Sequence, residues 1–216
     1  MAIDDDLDDL LNNTKAFLDN NLVVIFSAPG GASGNLEFVL EKTIFTGWTS
    51  SAGPVPRYAC YPASWLVIGG GSGLPSQKFD AQYISMREYD TGSQSWEPNA
   101  TTHYPLDANG PAVMLTSKLN GCTFGIGSDA GGTRLVSHLR PPRLLEVPMA
   151  EGRLILNDGM RAGFAGGTLQ VSIMSSDQMN GTIIGIQTGT AWTFYAQRFH
   201  SVSPSSGVLE GVNVYH

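Results

Sequence analysis

The stretch from Pro111 to Pro141, PAVMLTSKLNGCTFGIGSDAGGTRLVSHLRP, decides how the chain is expected to fold. It places apolar runs around Cys122 and before His138, with the glycine-rich segment Gly125 to Gly132 between them. That segment reads as a turn, and two β-rich runs joined by a turn make a hairpin. Across the ladder of a hairpin, residues distant in sequence become neighbours. Cys122 at the start of one strand and His138 at the end of the next, sixteen positions later, can therefore meet. A thiol beside an imidazole is expected to ionise at neutral pH, and the thiolate is a nucleophile. The hairpin is thus the candidate active site of a cysteine-dependent acyl-transfer enzyme.

The remaining sequence bounds that idea. A chain of 216 residues suits one domain, residues 1–216, with a full core. It is 42% hydrophobic and only 14% charged, and its 26 glycines imply short strands and many turns. The predicted class is α+β, mostly β: a single-domain antiparallel β-sandwich with a few peripheral helices. A net charge of -7 argues against nucleic acid as a partner, since phosphate binding needs a basic stripe. No apolar run approaches the roughly 20 residues that a bilayer requires, so no membrane span is expected. The acidic start, Asp4-Asp5-Asp6 and Asp8, is unlike a secretory signal. The protein is therefore expected either to stay in the cytoplasm or to leave by another route. Cys60 and Cys122, the two cysteines, cannot make a disulfide framework or a zinc site by themselves. A single bridge between them competes with the nucleophile reading on level terms.

Along the chain, apolar residues at three- and four-residue steps predict a helix over Asp4 to Asn20, its aspartates favoured by the macrodipole. Leu22 to Ala28, Leu36 to Phe45 and Tyr58 to Tyr61 read as strands, and Ser50 to Pro56 as a loop. Trp65 to Ile68 is a further apolar run. Ala81 to Glu88 suits a strand or a short helix, and Asp90 to Leu106 a long surface connection. After the hairpin, Leu144 to Pro148, Arg153 to Leu156, Thr168 to Met174, Thr182 to Thr188 and Trp192 to Phe199 read as an antiparallel meander. Asn157-Asp158-Gly159, Asn180-Gly181 and Gly189-Thr190 serve as its turns.

A free cysteine is more often a small buried hydrophobe than a nucleophile. Gly121 and Thr123 on either side of Cys122 allow close approach of a substrate, and backbone N–H groups near such a turn can hold an oxyanion. Among the four histidines, His216 is terminal and His200 lies in what reads as a polar tail, which leaves His103 as the rival of His138. Gly125-x-Gly127-x-x-Ala130 imitates a dinucleotide fingerprint, but Pro141-Pro142 prevents a crossover helix, and Gly69 to Gly73 is stopped by Pro75.

Thr116-x-x-Leu119-Asn120-Gly121-Cys122, a glycine turn and an apolar run ending in His138 together resemble the Burkholderia lethal factor group of cytotoxic necrotizing factor-like glutamine deamidases. That group carries Leu-Ser-Gly-Cys with a histidine on the following strand, a layout shared with the chemoreceptor deamidases. The segment from Asn180 to Phe199 is similar to the family's closing hairpin. Here Asn120 replaces the motif serine and the loop between cysteine and histidine is longer. The resemblance implies Cys122 as nucleophile, His138 as general acid and base, and Thr116 as the residue that orients His138 by its main-chain carbonyl. It places Asn120, Gly121 and Thr123 at the substrate and oxyanion. It implies no metal and no organic cofactor. The expected substrate is a glutamine in a host protein, attacked by a monomeric bacterial effector secreted without a cleavable signal and acting in host cytoplasm. A cysteine amidase or peptidase acting on peptidoglycan, and a non-enzymatic β-sandwich binding protein, are the alternatives.

Overall fold

A computed structural model gives the structure of residues 3–28, 33–43, 47–65, 76–90, 95–96, 103–140, 149–164, 167–174, 180–203 and 206–216. The apolar run at Trp65 to Ile68 and the expected strand at Leu144 to Pro148 fall almost wholly outside these residues. So do Gly69 to Gly73 and much of the segment from Asp90 to Leu106.

The N-terminal helix forms in two pieces, α1 (Ile3–Asn12) and α2 (Thr14–Asn20), broken at Asn13. The first half of the chain then supplies β1 (Leu22–Ile25), β2 (Gly34–Thr43), β3 (Gly47–Ser50), β4 (Gly53–Pro54), β5 (Arg57–Pro62), β6 (Ser76–Ile84) and β7 (Arg87–Asp90). Two-residue strands β8 (Ser95–Trp96) and β9 (Tyr104–Pro105) follow. The central stretch forms β10 (Val113–Thr116), β11 (Leu119–Asn120), β12 (Thr123–Ser128) and β13 (Arg134–Arg140). Helix α3 (Met149–Gly163) and strands β14 (Thr168–Met174), β15 (Asn180–Thr188), β16 (Ala191–Ser203) and β17 (Ser206–Tyr215) complete the chain.

The chain is mostly β, in a sandwich-like arrangement. One sheet runs β1-β5-β2-β6-β10-β15-β16-β17-β3-β4, with β11 also on β15; the other runs β14-β12-β13-β7-β8, with β9 on β13. Most neighbours are antiparallel, while β1/β5, β6/β10, β7/β13 and β3/β17 are parallel. The period-two alternation of strands sorts the side chains into layers. On β10, Val113 and Leu115 join the core under α1 and α2, whereas Met114 faces the second sheet. On β12 and β13, Phe124, Ile126 and Val136 meet it from the other side, and Leu135 and Leu139 pack outward on α3.

Several expectations are corrected by this packing. Arg153 to Leu156 is helical, and Asn157-Asp158-Gly159 lies inside α3 rather than in a turn. Its Leu156 and Met160, with Phe164 just beyond it, lie four residues apart and bury one face against the second sheet. Gly125 and Gly127 are strand residues, so the turn of the central hairpin is confined to residues 129–133. They are glycines because α3 and the start of β14 lie against them: a Cβ on Gly125 would stand 2.3 Å from Met160 Sδ, and one on Gly127 2.2 Å from the Thr168 carbonyl. Asn180 and Gly181 belong to β15, and His200 belongs to β16 instead of a tail. The meander is the trio β15-β16-β17, because β14 pairs with β12 in the other sheet. Ala81 to Glu88 divides between β6 and β7.

Candidate functional site

The site lies where the chain passes from one sheet to the other. Thr116 ends β10, and Leu119 and Asn120 still pair with β15. Gly121 then turns with a φ of 69°, a left-handed conformation that a side chain would strain. Cys122 follows at once, and Thr123 opens β12 in the second sheet.

The hairpin expected from the sequence forms, with Thr123 paired to Leu139 and Phe124 to His138. The ladder continued by one step sets Cys122 opposite Arg140, so Cys122, Phe124, His138 and Arg140 share one face. That face looks toward the first sheet, since Cys122 and Phe124 belong to the core between the sheets. Cys122 and His138 are diagonal neighbours across the ladder, within reach of long side chains. The His138 ring lies edge-on to Phe124, with ring centroids 6.5 Å apart. Alternation sends the buried Thr123 side chain to the opposite face, so only its main chain borders the thiol. The Asn120 side chain is exposed, and its carbonyl accepts from Cys122 Sγ at 3.5 Å.

Thr116 reaches His138 from the first sheet, but through its hydroxyl rather than the expected carbonyl. Its Oγ1 lies 2.6 Å from His138 Nδ1 and 2.7 Å from the Ile84 carbonyl. A carbonyl only accepts, so the single hydroxyl proton goes to Ile84 and Oγ1 must accept from Nδ1–H. The neutral ring is thereby left with a lone pair on Nε2. Among the described residues that buried atom has no hydrogen-bond partner. Leaving a buried polar atom unsatisfied costs about 1–3 kcal/mol.

The electrostatics differ from the expected thiolate. His138 is 1% exposed, and burial pushes its pKa from 6.5 down to about 3. Cys122 is 2% exposed, and burial pushes its thiol above the ordinary value. Both groups are therefore neutral at pH 7 in this resting geometry, because neither charge is solvated. Met86, partly exposed in the connection between β6 and β7, places Sδ 3.4 Å from Cys122 Sγ. This contact covers part of the sulfur. Arg140 on β13 and Glu88 on β7 form an ion pair of 2.8 Å beside it.

No disulfide joins Cys60 to Cys122. Cys60 is a buried core residue whose thiol burial raises far above its ordinary range. His103 stacks on Phe164 at 5.9 Å, on the outer side of the second sheet, and so does not meet Cys122. His200 stands beside Glu210 at 3.2 Å, and His216 Nδ1 lies 3.4 Å from Thr193 Oγ1. Met86, Glu88 and Arg140 were not singled out from sequence. The one signal available was that Arg140 follows His138 by two and therefore shares its face. A cleft of about 640 Å³, lined by Asp107, Asn109, Gly132, Arg134 and Trp192 among others, opens by the β12–β13 turn, away from the thiol.

Among the described residues, no group of three His, Cys, Asp or Glu side chains could hold a metal ion. No helix there is long and apolar enough to cross a membrane. No protein-family model matches the chain, and no curated protein matches it in sequence.

Proposed function

We propose that the protein is a cysteine-dependent protein-glutamine deamidase, with Cys122 as nucleophile and His138 as its general acid and base. The observation that carries this reading is the buried His138 Nε2, unpartnered and left unprotonated by the Thr116–Ile84 relay, on the face that holds Cys122. An orphaned acceptor is costly to a fold, and a proton-accepting role for Nε2 would account for it.

In the reaction, Sγ attacks the carboxamide carbon of a glutamine side chain while its proton passes to Nε2. The tetrahedral intermediate collapses with that proton going to the departing ammonia, leaving a thioester. Water then gives up a proton to Nε2, attacks the thioester and releases glutamate, and the thiol is restored. Backbone N–H groups around Gly121 to Thr123 are the candidates for the oxyanion. The resting pair is neutral, so the substrate does two things. It moves Met86 aside, and it brings polar groups that solvate the ion pair formed by proton transfer.

A peptidoglycan-directed cysteine amidase is less favoured, because Cys122 precedes a strand where such enzymes use a helix start. A host-protein target and a bacterial effector role belong to the proposal through the sequence resemblance. The test is incubation with host-cell extract, followed by peptide mass spectrometry for the gain of about one dalton that marks glutamine becoming glutamate. Sites converted by the wild type and spared by Cys122→Ser and His138→Gln support the reading. An unchanged glutamine inventory contradicts it.

A further inference from the structure

The ion pair between Glu88 and Arg140 is placed where a fold has little use for it. The two residues are lateral neighbours on β7 and β13, and their side chains are 43% and 41% exposed. A pair so exposed adds little to stability. Yet Arg140 is the cross-strand neighbour of Cys122 by continuation of the ladder, and both charges act on the thiol, Arg140 favouring the thiolate and Glu88 opposing it. Among the described residues the guanidinium makes one hydrogen bond, from Nη1 to Glu88 Oε1, which leaves other N–H groups of its fork to donate. The carboxylate likewise has lone pairs left to accept. A donor and an acceptor side by side complement the N–H and C=O that one residue of an extended chain presents on the same edge.

We propose that Arg140 and Glu88 form the substrate-positioning element of the thiol site, gripping the main chain of an extended segment whose glutamine enters beside Met86. This rests on the deamidase reading and adds the residues that would select a peptide-borne glutamine. Binding there also sets the segment against Met86, so that recognition and uncovering of the sulfur occur together.

The experiment compares two reagents with one reacting group. The first is a capped tripeptide whose central side chain ends in a chloromethyl ketone in place of the glutamine carboxamide. The second is chloroacetone, which has no peptide main chain. Each alkylates Sγ with loss of chloride, so the ratio of their rates at Cys122 cancels changes in the thiolate fraction. The wild type is expected to favour the peptide strongly, and Arg140→Gln and Glu88→Gln each to cut that preference by roughly tenfold, the worth of a hydrogen bond to a charged group. An unchanged preference in both variants, or none in the wild type while chloroacetone still labels Cys122 at a His138-dependent rate, would overturn this inference alone. Failure of both reagents to label Cys122 in any form of the protein would overturn the deamidase reading and this inference with it.

Discussion

At the scale of single residues, the imidazole of His138 carries the account. Its place on the strand beside that of Cys122 was legible in the sequence, but the register that sets which face it shares was not, because the turn was read as Gly125 to Gly132 and the structure confines it to residues 129–133. Its protonation was not, because that depends on a hydroxyl and a carbonyl, Thr116 and Ile84, that meet it only in the fold. Burial also reverses the expected chemistry. An unfolded histidine titrates near 6.5, whereas His138 in the fold does so at about 3. Between those values the unfolded chain binds the extra proton, so the contribution of neutral His138 is intact above pH 6.5 and is lost as pH falls. The slope is at most about 1.4 kcal/mol per pH unit. Urea unfolding at pH 7, 6, 5 and 4 should show this loss, and His138→Gln should flatten it. An equal slope in the variant would mean that other groups govern the acid limb.

At the scale of elements, the hairpin and the closing strands were readable, and α3 was not. Gly152, Gly159 and the Asn157-Asp158-Gly159 turn signal all argue against a helix. What overrides them is tertiary: Leu156, Met160 and Phe164 find the bare strand surface of Gly125 and Gly127. The two glycines therefore differ in a predictable way. The Met160 thioether can move from a Cβ at position 125, but the Thr168 carbonyl cannot move from one at 127. Gly127→Ala should cost more stability than Gly125→Ala, with overpacking of about 1–3 kcal/mol setting the scale for the milder case. Equal midpoints in urea would contradict the packing described. The hydrogen bonds that tie α2 and β1 to β16 were equally invisible, since they converge on one buried glutamine. Gln197 Oε1 accepts from the Val23 N–H at 2.9 Å, and Nε2 donates to the Leu18 and Asn21 carbonyls at 2.6 Å each. Gln197→Leu should lower the unfolding free energy by about 2–5 kcal/mol, because it strands three main-chain groups. A loss under about half a kcal/mol would show that water replaces them.

At the scale of the whole molecule, the two sheets have different tasks at the site. The first supplies Thr116 and the Ile84 carbonyl, which fix the His138 ring, and the second supplies Cys122 and His138. The connection between β6 and β7, which passes from one sheet to the other, supplies Met86 over the sulfur. Sequence reading found the members contributed by the Thr116-to-His138 stretch and missed this third one, whose contact with the thiol arises only when the sheets stack. In the proposed reaction the same arrangement lets the pair rest neutral, because Cys122 and His138 are buried and Met86 lies against the sulfur. The measurement that tests this most directly is the rate of Cys122 alkylation by iodoacetamide at pH 7, followed by peptide mass spectrometry. It is made on the wild type, Met86→Ala and the Met86→Ala/His138→Gln double variant. The account predicts slow labelling in the wild type, labelling faster by at least about tenfold in Met86→Ala, and loss of that gain in the double variant. A double variant that labels as fast as Met86→Ala would show that His138 does not serve the thiol, and the catalytic pair would fall with it.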